Sequence, residues 1–211
     1  MNNQGEVMSF TVKQLAVGGF DSNFSYLVTN GDDAALVDPT GDAEVIRKAL
    51  AECSGKTPRY ILLTHGHLDH MQALGEIIAD FPAQIIAHPY NPEAGRSRLR
   101  DKAQLPFGDG FIEVLFTPGH SRDSVCYRLS DDSAIFTGDV LFVGCIGFCR
   151  SREMFTSLTG KILPLADSLL VCSGHDYGPV PARTLGEEKQ FNPFLNCSDF
   201  EEFRQKLREL K

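Results

Sequence analysis

The sequence predicts a layered α/β fold in a single domain over residues 1–211, and three observations carry that expectation. Apolar runs of strand length recur along the chain. The early ones follow one another as hairpins, and the later ones alternate with stretches of helical periodicity. Buried strands with helices available for their faces fold in layers, and 211 residues suffice for one sizeable core.

Taken in order, SFTVKQLAV, NFSYLVTN and DAALVDP read as strands, with the turn NGDD between the last two. Residues 42–52 open on an acidic residue and repeat apolar positions at helical spacing, so a helix follows. YILL (60–63) is a short continuous apolar run, residues 71–81 are helix-like, and QIIAH (84–88) is again a strand. FIEVLF, SVCYRL, SAIFTG and LLVCSG complete the strands, and helices cover 152–159, 183–190 and 198–210. Thr184 and Glu187 stand at capping-box spacing, a structural assignment.

Composition narrows the function classes. A net charge of −8 argues against a nucleic-acid partner, because such binding rests on Lys and Arg neutralising phosphates. No apolar run is long enough to span a bilayer, so no membrane partner is expected. The N-terminal MNNQGEVMSFTVKQL lacks a basic segment followed by an apolar one, which points to the cytoplasm. The six cysteines show no framework spacing and read as reduced thiols, with Cys145 and Cys149 as loop or core thiols.

Four strand-like runs end alike. YILL runs into THGHLDH, EVLF into TPGH, SAIF into TGD and LLVC into SGH. Each passes through small polar residues and Gly to a group that binds metal, and Gly permits the tight turn that aims a ligand over the sheet edge. Strand ends are where layered folds place ligands, so these loops are expected to converge. The set is His65, His67, Asp69, His70, His120, Asp139 and His175. Imidazoles with carboxylates suit zinc, with iron or manganese as alternatives. Seven donors exceed one tetrahedral ion and suit two divalent ions, ~3.5–4 Å apart if one carboxylate is shared. Asp69 and His70 are expected at the start of the following helix. His88 also ends a strand, in QIIAH, and this syntax alone would include it.

THGHLDH resembles the H-x-H-x-D-H signature of the metallo-beta-lactamase superfamily, and His120, Asp139 and His175 follow in that family's order. The resemblance covers nearly the whole chain, and TLGEEKQFNPFL is similar to the small glyoxalase II-type branch. It implies an αββα sandwich of four layers, and no ligand at His88, which is therefore read as structural. It also implies that His65, His67 and His120 hold one ion, that Asp69, His70 and His175 hold the other, and that Asp139 bridges them.

The chemistry expected is hydrolysis of a small-molecule substrate. Two divalent ions sharing a water lower its pKa from ~15.7 toward ~7, giving a hydroxide that attacks a carbonyl. Asp69 is the candidate to orient or deprotonate it. A thioester such as a hydroxyacylglutathione leads. A mononuclear-iron persulfide dioxygenase, a nucleic-acid phosphodiesterase and a non-catalytic metal-binding domain are the alternatives. Tyr177, near His175, and Arg122, near His120, are candidates to face the substrate. Phe148 stands where such relatives carry a Lys or Arg that meets glutathione, and its loss removes a charge-assisted partner worth about 1.5–3 kcal/mol. Arg150 and Arg152 are the neighbours able to replace it.

Overall fold

The computed structural model describes residues 9–53, 56–95 and 98–209. The first eight residues of the N-terminal segment read above, and residue 210 of the last expected helix, lie outside them. The strands β1 (Thr11–Gly18), β2 (Asn23–Asn30), β3 (Asp33–Val37), β4 (Tyr60–Leu62) and β5 (Gln84–Ile86) form one sheet in that order. A second sheet runs β6 (Gln104–Phe107), β7 (Gly110–Phe116), β8 (Val125–Leu129), β9 (Ala134–Gly138), β10 (Leu170–Ser173) and β11 (Arg183–Thr184). The helices are α1 (Ala43–Glu52), α2 (Leu74–Asp80), α3 (Ser151–Ser157), α4 (Leu185–Phe191) and α5 (Phe200–Glu209).

The strand alternation assigns the layers. On β2, β3 and β4, Tyr26, Val37 and Leu62 pack against Phe136 and Tyr127 of the second sheet. Their neighbours Leu27, Leu36 and Ile61 pack with Ile46 and Leu50 of α1 and Ile77 of α2. On the far side, Ile135 and Val171 meet Met154, Leu185 and Phe203 of α3, α4 and α5. Both faces of each sheet are therefore covered, in four layers, αββα.

Two strands were outside the expected set, and both are sheet edges. β6 contains Pro106, which cannot donate to a ladder and is tolerated because β6 pairs only with β7. β11 is two residues long, below any periodicity signal. Thr184 forms the expected capping box with Glu187 at the start of α4.

The sheets are also tied by hydrogen bonds. Buried Tyr127 donates its hydroxyl toward the carbonyl oxygens of Leu63 (2.8 Å) and Ile86 (3.0 Å) across the interface. Tyr26 donates to the carbonyl of Ser173 at 2.6 Å. Tyr127→Phe is expected to cost about 1–2 kcal/mol, because the hydroxyl's bond is lost in a dry interior. Denaturant unfolding reads that loss, and an unchanged midpoint refutes the role. No helix among the described residues is long and apolar enough to cross a membrane.

Candidate metal centre

The apolar strand ends deliver their polar groups to one rim. His65 and His67 follow β4, His120 follows β7, Asp139 follows β9 and His175 follows β10. Asp69 and His70 lie in a separate 3-10 turn, Leu68–His70, which corrects the expectation that they begin the next helix. Thr40 hydrogen-bonds the Asp69 carbonyl through its hydroxyl, which also accepts from the Gln72 amide. That side chain competes for the helical ladder, so α2 starts only at Leu74.

Two glycines let this rim close. Gly138 has φ +48°, and a Cβ there would meet the Thr64 hydroxyl oxygen at 2.4 Å. A Cβ on Gly174 would lie 2.6 Å from His70 Cε1 and 2.7 Å from Asp139 Oδ1, inside the cluster itself.

All seven side chains converge, in two groups. His65, His67, His120 and Asp139 form one, and Asp69, His70 and His175 the other, with the donor atoms of each within 4.8 Å of one another. In the first, His67 Nδ1 is 3.0 Å from both His65 Nε2 and His120 Nε2. In the second, His70 Nε2 and His175 Nε2 are 3.3 Å apart, with Asp69 Oδ2 at 3.5 and 3.4 Å from them. Asp139 reaches both groups. Its Oδ1 is 3.2 Å from His70 Nε2 and 3.4 Å from His175 Nε2, and its Oδ2 is 3.4 Å from His120 Nε2.

Four imidazoles are oriented through their other nitrogen. Nδ1–H of His120 donates to the Phe148 carbonyl (2.8 Å), that of His175 to the Asp21 carbonyl (2.8 Å) and that of His70 to Asp38 Oδ2 (2.9 Å). The Thr64 hydroxyl donates to Asp38 at 2.6 Å, so it accepts from His65 Nδ1–H at 3.1 Å. With Nδ1 protonated, each Nε2 turns a lone pair inward. Asp139 Oδ1, buried and without a hydrogen-bond partner, faces two of them. Such a set fits divalent cations, and the N···N spacings match the edges of a polyhedron with bonds of ~2.0–2.1 Å.

The electrostatic surroundings of these groups agree with that use. Burial holds the His65 imidazole well below its ordinary range, with His70 adding to the effect, and burial lowers His120. Both are thus neutral at pH 7, the form in which an imidazole can bind a metal. Burial also opposes the charged forms of His70 and Asp139, but their pairing outweighs it. His70 rises to about 10 beside Asp139 and Asp38, and Asp139 falls well below the carboxylate range beside His175 and His70. In the metal-free chain a proton thus supplies the positive charge that a cation would replace.

The remaining candidates fall into different places. Tyr177 is half-exposed and stacks on His175 (centroids 4.7 Å, interplanar 5°), with its hydroxyl on the Asp21 carboxylate. Arg122 is exposed and lies over the Tyr90 ring at 5.3 Å, beside a cleft that also takes in Asp123. Phe148 touches the site through its carbonyl, while its ring is 89% exposed. Arg152 packs over Phe200 at 3.9 Å, and Arg150 precedes α3 as its N-cap. His88 packs at a tilt against Phe116 and Tyr90, outside both groups. Cys145 and Cys149 are half-buried free thiols, both raised by burial, Cys149 to about 11.

Sequence reading passed over Asp38 and Asn23. Asp38 ends β3 in the same strand-then-ligand manner, in LVDP, and that syntax was the available signal. Buried Asn23 donates to Asp69 Oδ2 at 3.3 Å, and no local pattern marks it.

Comparison with known proteins gives the following likenesses. Residues 18–175 match the metallo-beta-lactamase superfamily. The chain is 33% identical to the probable metallo-hydrolase YqgX of Bacillus subtilis, over 87% of this chain and 97% of that one. It is 31% identical to the hydroxyacylglutathione hydrolase GloC of Haemophilus influenzae, over 88% of this chain and 98% of that one. The crystal structure of ETHE1 from Myxococcus xanthus superposes with a TM-score of 0.83 at 28% identity, covering 95% of this chain and 91% of that one.

Proposed function

This chain belongs to the metallo-beta-lactamase superfamily and is a glyoxalase II-like metallohydrolase, and we propose that it hydrolyses a thioester, with a hydroxyacylglutathione the leading substrate class. The observation that carries the reading is Asp139, a buried carboxylate with one oxygen toward each of two imidazole groups. His65, His67 and His120 would hold one divalent ion, Asp69, His70 and His175 the other, and Asp139 both. Zinc suits this donor set best, ahead of iron and manganese. When bound, such a pair lowers the pKa of water toward ~7 and offers positive charge to a carbonyl oxygen becoming an oxyanion.

The chain's own groups then divide the work. Asp69 is 27% exposed at its side chain against 10% for Asp139, so Asp69 is the carboxylate placed to orient water and take its proton. Asn23 holds its Oδ2 from the side away from solvent. Tyr177 and Phe142 wall the approach beside His175. Arg204 and Arg208 line a groove of about 450 Å³ with Phe148, Cys145 and Cys149. Two guanidinium groups there suit a carboxylate-bearing thiol carrier, in place of the basic residue absent at Phe148. The Haemophilus influenzae relative is a hydroxyacylglutathione hydrolase, of this class.

Elemental analysis paired with a panel of lactoylglutathione, glutathione persulfide, a lactam and an RNA tests the reading. About two metal equivalents and thioester turnover that chelation abolishes and a divalent salt restores are expected. Turnover surviving verified metal removal overturns it. Oxygen uptake on the persulfide without thioester cleavage replaces it with a dioxygenase, and RNA cleavage with a phosphodiesterase.

A further inference from the structure

The fully buried carboxylate of Glu188 lies on α4, outside the metal cluster. A carboxylate in a dry interior is costly unless it is bonded and paired, so its partners indicate its role. Its Oε2 accepts from the Gly144 amide at 2.9 Å and from Asn192 Nδ2 at 2.9 Å. Asn192, also fully buried, donates in turn to the Cys145 carbonyl at 3.1 Å. Arg183, 3.8 Å from Oε1, supplies the nearest positive charge.

The loop gripped in this way is the one that follows Asp139. It starts at a group shared between both clusters. At Phe142 it packs its ring on His175, with centroids 5.8 Å apart, and at Phe148 its carbonyl fixes His120. Between these points Glu188 holds its Gly144 amide, Asn192 reaches its Phe142 (3.5 Å) and Cys145 carbonyls, and Phe142 and Cys145 pair with each other. One short segment thus contacts a histidine of each group, and a buried carboxyl group on the distant α4, with the amide of Asn192 at that helix's C-terminal cap, sets its position.

We infer that Glu188, acting with Asn192, is a positioning residue for the metal centre: it sets the loop that orients His120 and His175. The inference rests on the metal reading above and deepens it. Both donors meet the same oxygen, Oε2, which a glutamine carbonyl could replace, so alanine is the change that leaves the loop amide and Asn192 without their acceptor.

The test compares full-length Glu188→Ala, Asn192→Ala and Glu187→Ala with the parent by chelator competition for bound zinc, thermal unfolding and thioester turnover. Glu187 is the control, because its loss weakens the same helix at its cap without touching the loop. Glu188→Ala and Asn192→Ala are expected to weaken zinc binding about 10–100-fold, the range for groups that orient ligands. Glu187→Ala is expected to lower the melting temperature yet hold zinc like the parent. Unchanged zinc affinity in whichever of Glu188→Ala and Asn192→Ala folds overturns the inference, as does an equal loss in Glu187→Ala. If the parent binds zinc but cleaves no thioester, the substrate reading falls while the affinity comparison still decides this one.

Discussion

Asp139→Ala is expected to lower kcat/KM by at least about 10³-fold, equivalent to about 4 kcal/mol of transition-state stabilisation. Every other ligand candidate serves one group, whereas Asp139 stands 3.2–3.4 Å from nitrogens of both. On the proposed two-ion reading, removing it would take a negative ligand from each ion and leave their spacing unset. Elemental analysis should then find fewer than two equivalents. Normal turnover in this variant would refute the shared-carboxylate reading. In the metal-free chain the same carboxylate contributes stability, because the imidazoles of His175 and His70 outweigh the cost of its burial and depress its pKa. That contribution is present above the unfolded value of about 3.9 and is lost as pH falls through the depressed folded value. Unfolding midpoints of chelated parent and variant should therefore differ at neutral pH and approach each other in acid.

Asp38→Ala carries the largest expected loss of stability. Its carboxylate is buried and accepts from the Thr64 amide (2.8 Å), the Thr64 hydroxyl (2.6 Å) and His70 Nδ1–H (2.9 Å). Removing one member of a buried charged network strands its partners, at a cost of about 3–5 kcal/mol. Asp38 also has φ +45°, a region that Asp and Asn tolerate better than Ala. At about 2–4 °C per kcal/mol for a chain of this size, the melting temperature should fall by roughly 10 °C. Metal affinity should fall too, by about 10–100-fold, because His70 loses the group that holds its tautomer. Asp38→Asn keeps an acceptor for Thr64 but can lose the one for His70, so it should retain more stability than metal affinity. A thermal scan with and without chelator separates the two effects, and an unchanged midpoint in Asp38→Ala refutes the network.

How legible each part was depends on the range of the interaction that makes it. YILL, LLVC and the alternation in NFSYLVTN announce strands because a side chain's face is set by its immediate neighbours. Pro106 hid β6, since a local rule against proline in strands yields at an edge that only sheet order reveals. The break between His70 and α2 was hidden for a similar reason: Thr40 causes it from thirty-odd residues away. Phe148 was read for its side chain, yet its backbone carbonyl is what meets His120.

By itself the sequence determined the donor atoms available and their places at strand ends, because local pattern and residue chemistry suffice for both. Tertiary structure alone decided which nitrogen of each imidazole turns inward, how Asp139 divides its oxygens, that Asn23 meets Asp69, and that Glu188 meets the loop after Asp139. Those outcomes depend on distances of about 3 Å between residues far apart in the chain, where hydrogen bonding and burial act and local pattern carries no information.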